Sequence, residues 1–267
     1  LDDEALPPIT FAGLRYALAA LVLSAWLARS STSRSRIGRV SRSELVWLIV
    51  LGIVFYAITQ GAQFVAIDNQ PAATTSLVLS LTPLVVAVGT GSLGERASGR
   101  QFTGAALVAI GALLYFAGDL EATGLGMLAA LLALAANSSS ALLGRRVNRG
   151  RSIPAVVVTT ISMSVGALLL LGTGIAVEDW PDLSGRAVLI IAWLAVVNTA
   201  AAFSLWNLSL RHLTAIESSG INNLMLTQIA ILAWLFLDES PGPIGAGGIA
   251  LVSVGVFLTQ APARKGG

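Results

Sequence analysis

At 267 residues, with 55% of them hydrophobic, 11% charged and a mean hydropathy of +0.80, the chain is far too apolar for a soluble domain, in which roughly a quarter of residues are charged. The net charge of +2 comes from basic residues set in short stretches between apolar runs, so no helix has a basic face with which to bind nucleic acid. Cysteine is absent, which excludes disulfides and thiolate metal sites.

Nine apolar runs of transmembrane length follow in order: Ile9 to Ala28, Leu45 to Ile67, Ala72 to Leu93, Phe102 to Ala117, Gly124 to Leu143, Ile153 to Val177, Ala187 to Leu210, Ala215 to Leu237 and Ile244 to Gln260. A helix crosses the hydrocarbon core in about 20 residues. The runs exceed the length of a barrel strand and lack alternation, and a helix satisfies its own backbone in lipid. The expected class is an all-α membrane protein.

The chain repeats internally. Gly104, Ala106, Leu107, Val108, Gly111 and Leu114 recur 144 residues later as Gly248, Ala250, Leu251, Val252, Gly255 and Leu258, and upstream Leu93 and Glu95 recur as Leu237 and Glu239. About five spans fill one period. An odd number turns the second copy over in the membrane, as in many secondary transporters. The copies are read as residues 1–118 and 124–260.

Loop charges give the orientation. One set of alternate loops carries Arg29, Arg34, Arg36, Arg39 and Arg42, then Arg96 and Arg100, then Arg145, Arg146, Arg149 and Arg151, then Arg211, then Arg264 and Lys265. The other carries Asp2, Asp3 and Glu4, then Asp68, then Asp119 and Glu121, then Glu178, Asp179, Asp182 and Arg186, then Asp238 and Glu239. The positive-inside rule puts the first set, and the C terminus, in the cytoplasm. The first copy then holds four spans and the second five. The expectation is a full-length protein of ten helices, its first lying upstream of Leu1; a nine-span protein with an external N terminus is the alternative.

The run AAAFSLWNLSLRHLTAIESSGINNLMLTQIAILAWLFLDE, followed by a glycine-rich last helix, resembles the drug/metabolite transporter superfamily, and within it the EamA-type proteins. The resemblance rests on Trp206, Asn207, Leu210, Ala215, Ser218, Ser219, Leu237, Glu239 and Gly248. In the first copy it rests on Pro71, Ala72, Leu81, Pro83, Glu95, Gly104 and Gly111, with Arg15 following Pro8. It implies two inverted repeats of five helices, transport by alternating access near mid-membrane, and an inner-membrane location. The family's penultimate-helix proline stands at Pro83 but has Leu226 or Thr227 as its counterpart, so a kink is expected in the first copy alone.

Polar side chains inside apolar spans are the candidate solute contacts, because burying them in lipid is costly unless they face a partner or a water-filled path. Tyr56, Gln60 and Gln63 fall at i, i+4 and i+7, one helical stripe. Asn137 sits beside three serines; Asn198, Trp206 and Asn207 share the seventh run. The eighth run holds Glu217, Asn222, Asn223 and Gln228, and of the adjacent asparagines Asn222 is taken as the contact. Each of these also fits a structural role, as interhelical hydrogen bonding or interfacial anchoring. Glu217 could couple export to protons, although its nearness to Arg211 and His212 favours pairing at the membrane edge. Glu95 and Glu239 read as helix-end groups. Gly104, Gly111 and Gly118 in one copy, and Gly248 and Gly255 in the other, form flat faces for helix packing, with a homodimer through those faces as the alternative.

A single histidine, His212, leaves no His-rich metal site, and no nucleotide-binding loop or cofactor motif is present. The expected activity is secondary export of a small neutral or zwitterionic metabolite, such as an amino acid, or of an amphipathic drug. A membrane-embedded enzyme or a helical scaffold subunit is the alternative; the spans offer amides, hydroxyls and tryptophan where an enzyme needs convergent acid, base and nucleophile.

Overall fold

The computed structural model describes residues 6–29, 40–117, 120–150, 153–181, 183–237 and 242–260. Loop charges at Asp2, Asp3, Glu4, Arg34, Arg36, Arg39, Asp119, Arg151, Asp182, Asp238, Glu239, Arg264 and Lys265, with Gly118, lie outside them. Among the described residues the chain is all helix, with no strand.

In chain order the helices are α1 (Pro8–Arg29), α2 (Arg42–Asn69), α3 (Ala72–Leu93), α4 (Gly99–Phe116), α5 (Gly124–Arg149), α6 (Ala155–Val177), α7 (Gly185–Ser209), α8 (Ala215–Leu237) and α9 (Pro243–Thr259). Each coincides with one apolar run of the sequence. Seven of them, α1 to α7, are long and apolar enough to cross a membrane by length and composition. Large apolar side chains such as Leu168, Leu189, Phe236 and Phe257 stand exposed on the outer faces, where lipid would cover them.

Helix starts follow the local sequence. Ser41 and Glu44 form a capping box at the head of α2, Ser98 and Gln101 form another at α4, and Ser184 caps α7 by accepting from the Ala187 N–H. The head of α1 is closed from a distance: both carboxylate oxygens of Glu178, just past α6, accept from the Ile9 and Thr10 amides at 2.9 and 2.6 Å. At the other end of α3, Gly94 turns left-handed at φ 68° and stops the helix immediately before Glu95.

Two helices carry π-helical turns, Gly52–Ile58 in α2 and Leu194–Ala201 in α7. In the first, the Thr59 N–H reaches back five residues to the Val54 carbonyl, which also accepts from the Thr59 hydroxyl at 2.8 Å. The kink expected from Pro83 is present. Helix α3 is interrupted at Leu81, while α8 runs unbroken from Ala215 to Leu237. Proline lacks the N–H that would bond the Leu79 carbonyl four residues back; the Thr82 hydroxyl donates to that carbonyl instead, at 2.6 Å.

The chain divides into two compact units, each built from both halves of the sequence. The first contains residues 1–64 and 143–212: α1, most of α2, the end of α5, α6 and α7. Its centre is Tyr16, Tyr56, Met163 and Leu170, and α1 packs closely against α6, so that a Cβ on Gly13 would lie 2.7 Å from the Leu171 backbone.

The second unit contains residues 65–142 and 213–267. There α4 and α9 cross antiparallel with their glycines face to face. A Cβ on Gly104 would come within 2.5 Å of the Gly255 carbonyl, and one on Gly111 within 2.6 Å of the Gly248 carbonyl. Val108, Val252 and Val256 fill the crossing, and the Gln101 side chain donates to the Thr259 carbonyl at 3.3 Å. These glycine faces therefore pack against each other within one chain.

Candidate functional site

The π turn of α2 places Tyr56 at the centre of an aromatic cluster in the first unit. Its ring meets Tyr16 of α1 edge-on at 5.5 Å and Phe203 of α7 at 5.3 Å, and Phe55 lies 5.5 Å from Phe203. A π turn holds an extra residue, so Tyr56 is not in α-helical phase with Gln60 and Gln63. Tyr56 is wholly buried, whereas the two glutamines are half-buried. Among the described residues the Gln60 and Gln63 side chains make no hydrogen bond.

Asn207 is buried next to this cluster with its amide fully engaged. It donates to the Thr159 hydroxyl and the Phe203 carbonyl, both at 3.1 Å, and accepts from Asn148 at 2.8 Å. This ties α5, α6 and α7 together, which is the interhelical glue that buried amides provide in membranes. Asn198, inside the π turn of α7, is exposed, and Trp206 is half-buried.

Arg15 of α1, which is not among the polar solute contacts expected from the sequence, is half-buried. Its guanidinium lies 4.9 Å from the Tyr16 ring centre and 6.0 Å from that of Phe11, and it donates to the Tyr16 hydroxyl at 3.2 Å. The signals in the sequence were a cation inside an apolar run and its match to an arginine of the EamA-type pattern.

The remaining candidates lie in the second unit. Asn137 of α5 donates to the Thr82 hydroxyl at 3.1 Å and so supports the α3 kink. Of the adjacent asparagines, Asn223 is buried and donates to the Ser219 carbonyl at 3.0 Å, while Asn222 is exposed, as is Gln228. Glu217 is half-buried in the first turn of α8. It forms a reciprocal cap with Thr214: the Thr214 N–H donates to its carboxylate at 2.8 Å and its own N–H donates to the Thr214 hydroxyl at 3.3 Å. Among the described residues no group of His, Asp and Glu is placed to hold a metal ion.

The architecture has known counterparts. A solved crystal structure superposes with a TM-score of 0.79 over 98% of this chain and 90% of its own, at 23% identity, which establishes a shared fold. Two bacterial proteins, each named "Probable amino-acid metabolite efflux pump", are similar along most of their length. The one from Escherichia coli (strain K12) is 25% identical over 266 residues, 95% of this chain and 85% of that protein. The one from Salmonella typhimurium (strain LT2) is 23% identical with the same coverage. The profile of the EamA-like transporter family matches residues 4–117 and again 124–260. With both halves of a helical, lipid-faced chain matched in this way, the protein is a multi-pass membrane transporter, not an enzyme, and belongs to the EamA-like transporter family of the drug/metabolite transporter superfamily.

Proposed function

We propose that the chain is a secondary exporter of a small neutral or zwitterionic metabolite, an amino acid or similar solute, or of an amphipathic drug, working by alternating access between two inverted repeats. The repeats are residues 1–118, with four of the nine spans, and 124–260, with five. Two features support the inversion. The α4–α9 crossing is antiparallel, and exchanging residues by the 144-residue offset turns the Gly104–Gly255 contact into the Gly111–Gly248 contact. The π turn at Gly52–Ile58, moved by the same offset, overlaps the one at Leu194–Ala201. The loop charges support an inner-membrane protein with a cytoplasmic C terminus.

The observation that carries the site is the pairing of repeat-equivalent π turns with uncommitted amides: Gln60 and Gln63 after the first, Asn198 within the second. π turns are frequent at functional sites. These three residues, with Trp206, Asn222 and Gln228, are the proposed solute contacts. Tyr56, Asn137 and Asn207 act through the helix geometry that they hold, and Glu217 serves as a helix cap. The names of the two relatives favour amino-acid metabolites among the solute classes.

The test is flux of a mixed pool of amino acids and metabolites from proteoliposomes, with and without a proton gradient. Gradient-dependent export of amino acids supports the reading, and Glu217→Gln should leave the gradient dependence intact. Absence of flux from folded protein contradicts it.

A further inference from the structure

An arginine within a membrane-spanning helix needs an anion or a wet path, because its charge is expensive in lipid. Arg15 lies about 10 Å along α1 from Pro8 at ~1.5 Å per residue. The Arg15 side chain has no carboxylate partner among the described residues. Of the five N–H donors of a guanidinium, Arg15 uses one among the described residues, toward the Tyr16 hydroxyl. The Nε is buried with no hydrogen-bond partner, although buried donors are nearly always satisfied. Phe11 and Tyr16 form an aromatic wall beside it, and such faces hold a cation in place without neutralising it.

We infer that Arg15 is the anchor for a carboxylate on the transported solute, so that the substrate class is the carboxylate-bearing metabolites and not neutral amides or amines. The planar fork of the two Nη groups matches a carboxylate in two-point contact, which ammonium does not. The Tyr16 hydroxyl, accepting from Arg15, fixes the fork's direction. The inference rests on the export reading for its biological meaning, but it predicts binding by itself.

Two measurements separate the claims. In the first, the common amino acids and their carboxamides are tested for equilibrium binding to the full chain in detergent, for the wild type, Arg15→Gln and Arg15→Lys. The expectation is that at least one free amino acid binds more tightly than its carboxamide. Arg15→Gln should weaken that amino acid by about tenfold or more and bring the pair level; Arg15→Lys should fall between, its charge kept and its fork lost. If Arg15→Gln does not fold, by thermal midpoint and monodispersity, Arg15→Lys carries the same comparison. Equal affinity for acid and amide in the wild type, or an unchanged preference in the folded variants, overturns the assignment.

The second measurement is flux of the same pairs in proteoliposomes. Binding that depends on Arg15 without any flux leaves the carboxylate site standing and removes the export reading. Flux of carboxamides as fast as of acids, unaffected by Arg15→Gln, does the reverse.

Discussion

The Asn137 amide donates to the Thr82 hydroxyl at 3.1 Å, and that hydroxyl donates in turn to the Leu79 carbonyl that Pro83 leaves without an N–H. The kink in α3 is thus held by a relay of two side chains. Thr82→Val keeps the shape but orphans the carbonyl and should cost about 1–3 kcal/mol. Asn137→Ala removes an interhelical hydrogen bond and should cost about 0.6 kcal/mol. Thermal or denaturant unfolding in detergent gives both values; equal losses would contradict the relay.

Glu178 closes the first turn of α1 with both carboxylate oxygens. Glu178→Gln retains one acceptor and should cost less than Glu178→Ala, which should lower stability by about 1 kcal/mol. Hydrogen exchange at the Ile9 and Thr10 amides locates the effect: it should rise there first in Glu178→Ala, and unchanged exchange would remove the cap.

The glycine crossing is equally direct to probe. Gly111→Leu has no room against the Gly248 carbonyl and should destabilise by about 1–3 kcal/mol or prevent folding. A Cβ at Gly124 meets nothing within 4 Å, so Gly124→Ala should leave the unfolding midpoint unchanged. Similar behaviour of the two variants would contradict the close approach.

The π turn of α2 makes a length prediction. Deleting Ala57 lets Gly52–Ile58 rewind as α-helix without changing the faces on either side, so the protein should insert and remain monodisperse while flux falls. Deleting Ala105 from regular α4 rotates one half of that helix against the other and should abolish folding. If the two deletions are equally damaging, the π turn is not a separable feature.

The helices were legible in the sequence because bilayer thickness and hydropathy both act on contiguous residues, which is why the apolar run Ala72 to Leu93 marks α3 at both ends. The Pro83 kink was legible for the same reason, being a local clash. What depends on distant partners was not. Asn207 reads as a polar residue in an apolar run, but its role is set by Asn148, 59 positions away. The π turns leave no periodic signature, so the Tyr56, Gln60, Gln63 stripe drawn for a regular helix separates into one buried aromatic and two half-buried amides. Arg15 was visible as a charge, but its unsatisfied Nε was not.

In the proposed transport cycle the solute passes the uncommitted amides beside the π turns. The most direct test is amino-acid flux in proteoliposomes for Gln60→Ala, Gln63→Ala and Asn198→Ala combined, against Asn207→Ala matched for folded protein. The triple variant should retain the wild-type unfolding midpoint and lose flux by about tenfold or more, whereas Asn207→Ala should lose stability, with flux per folded molecule closer to wild type. A triple variant that transports at the wild-type rate would rule out this path for the solute.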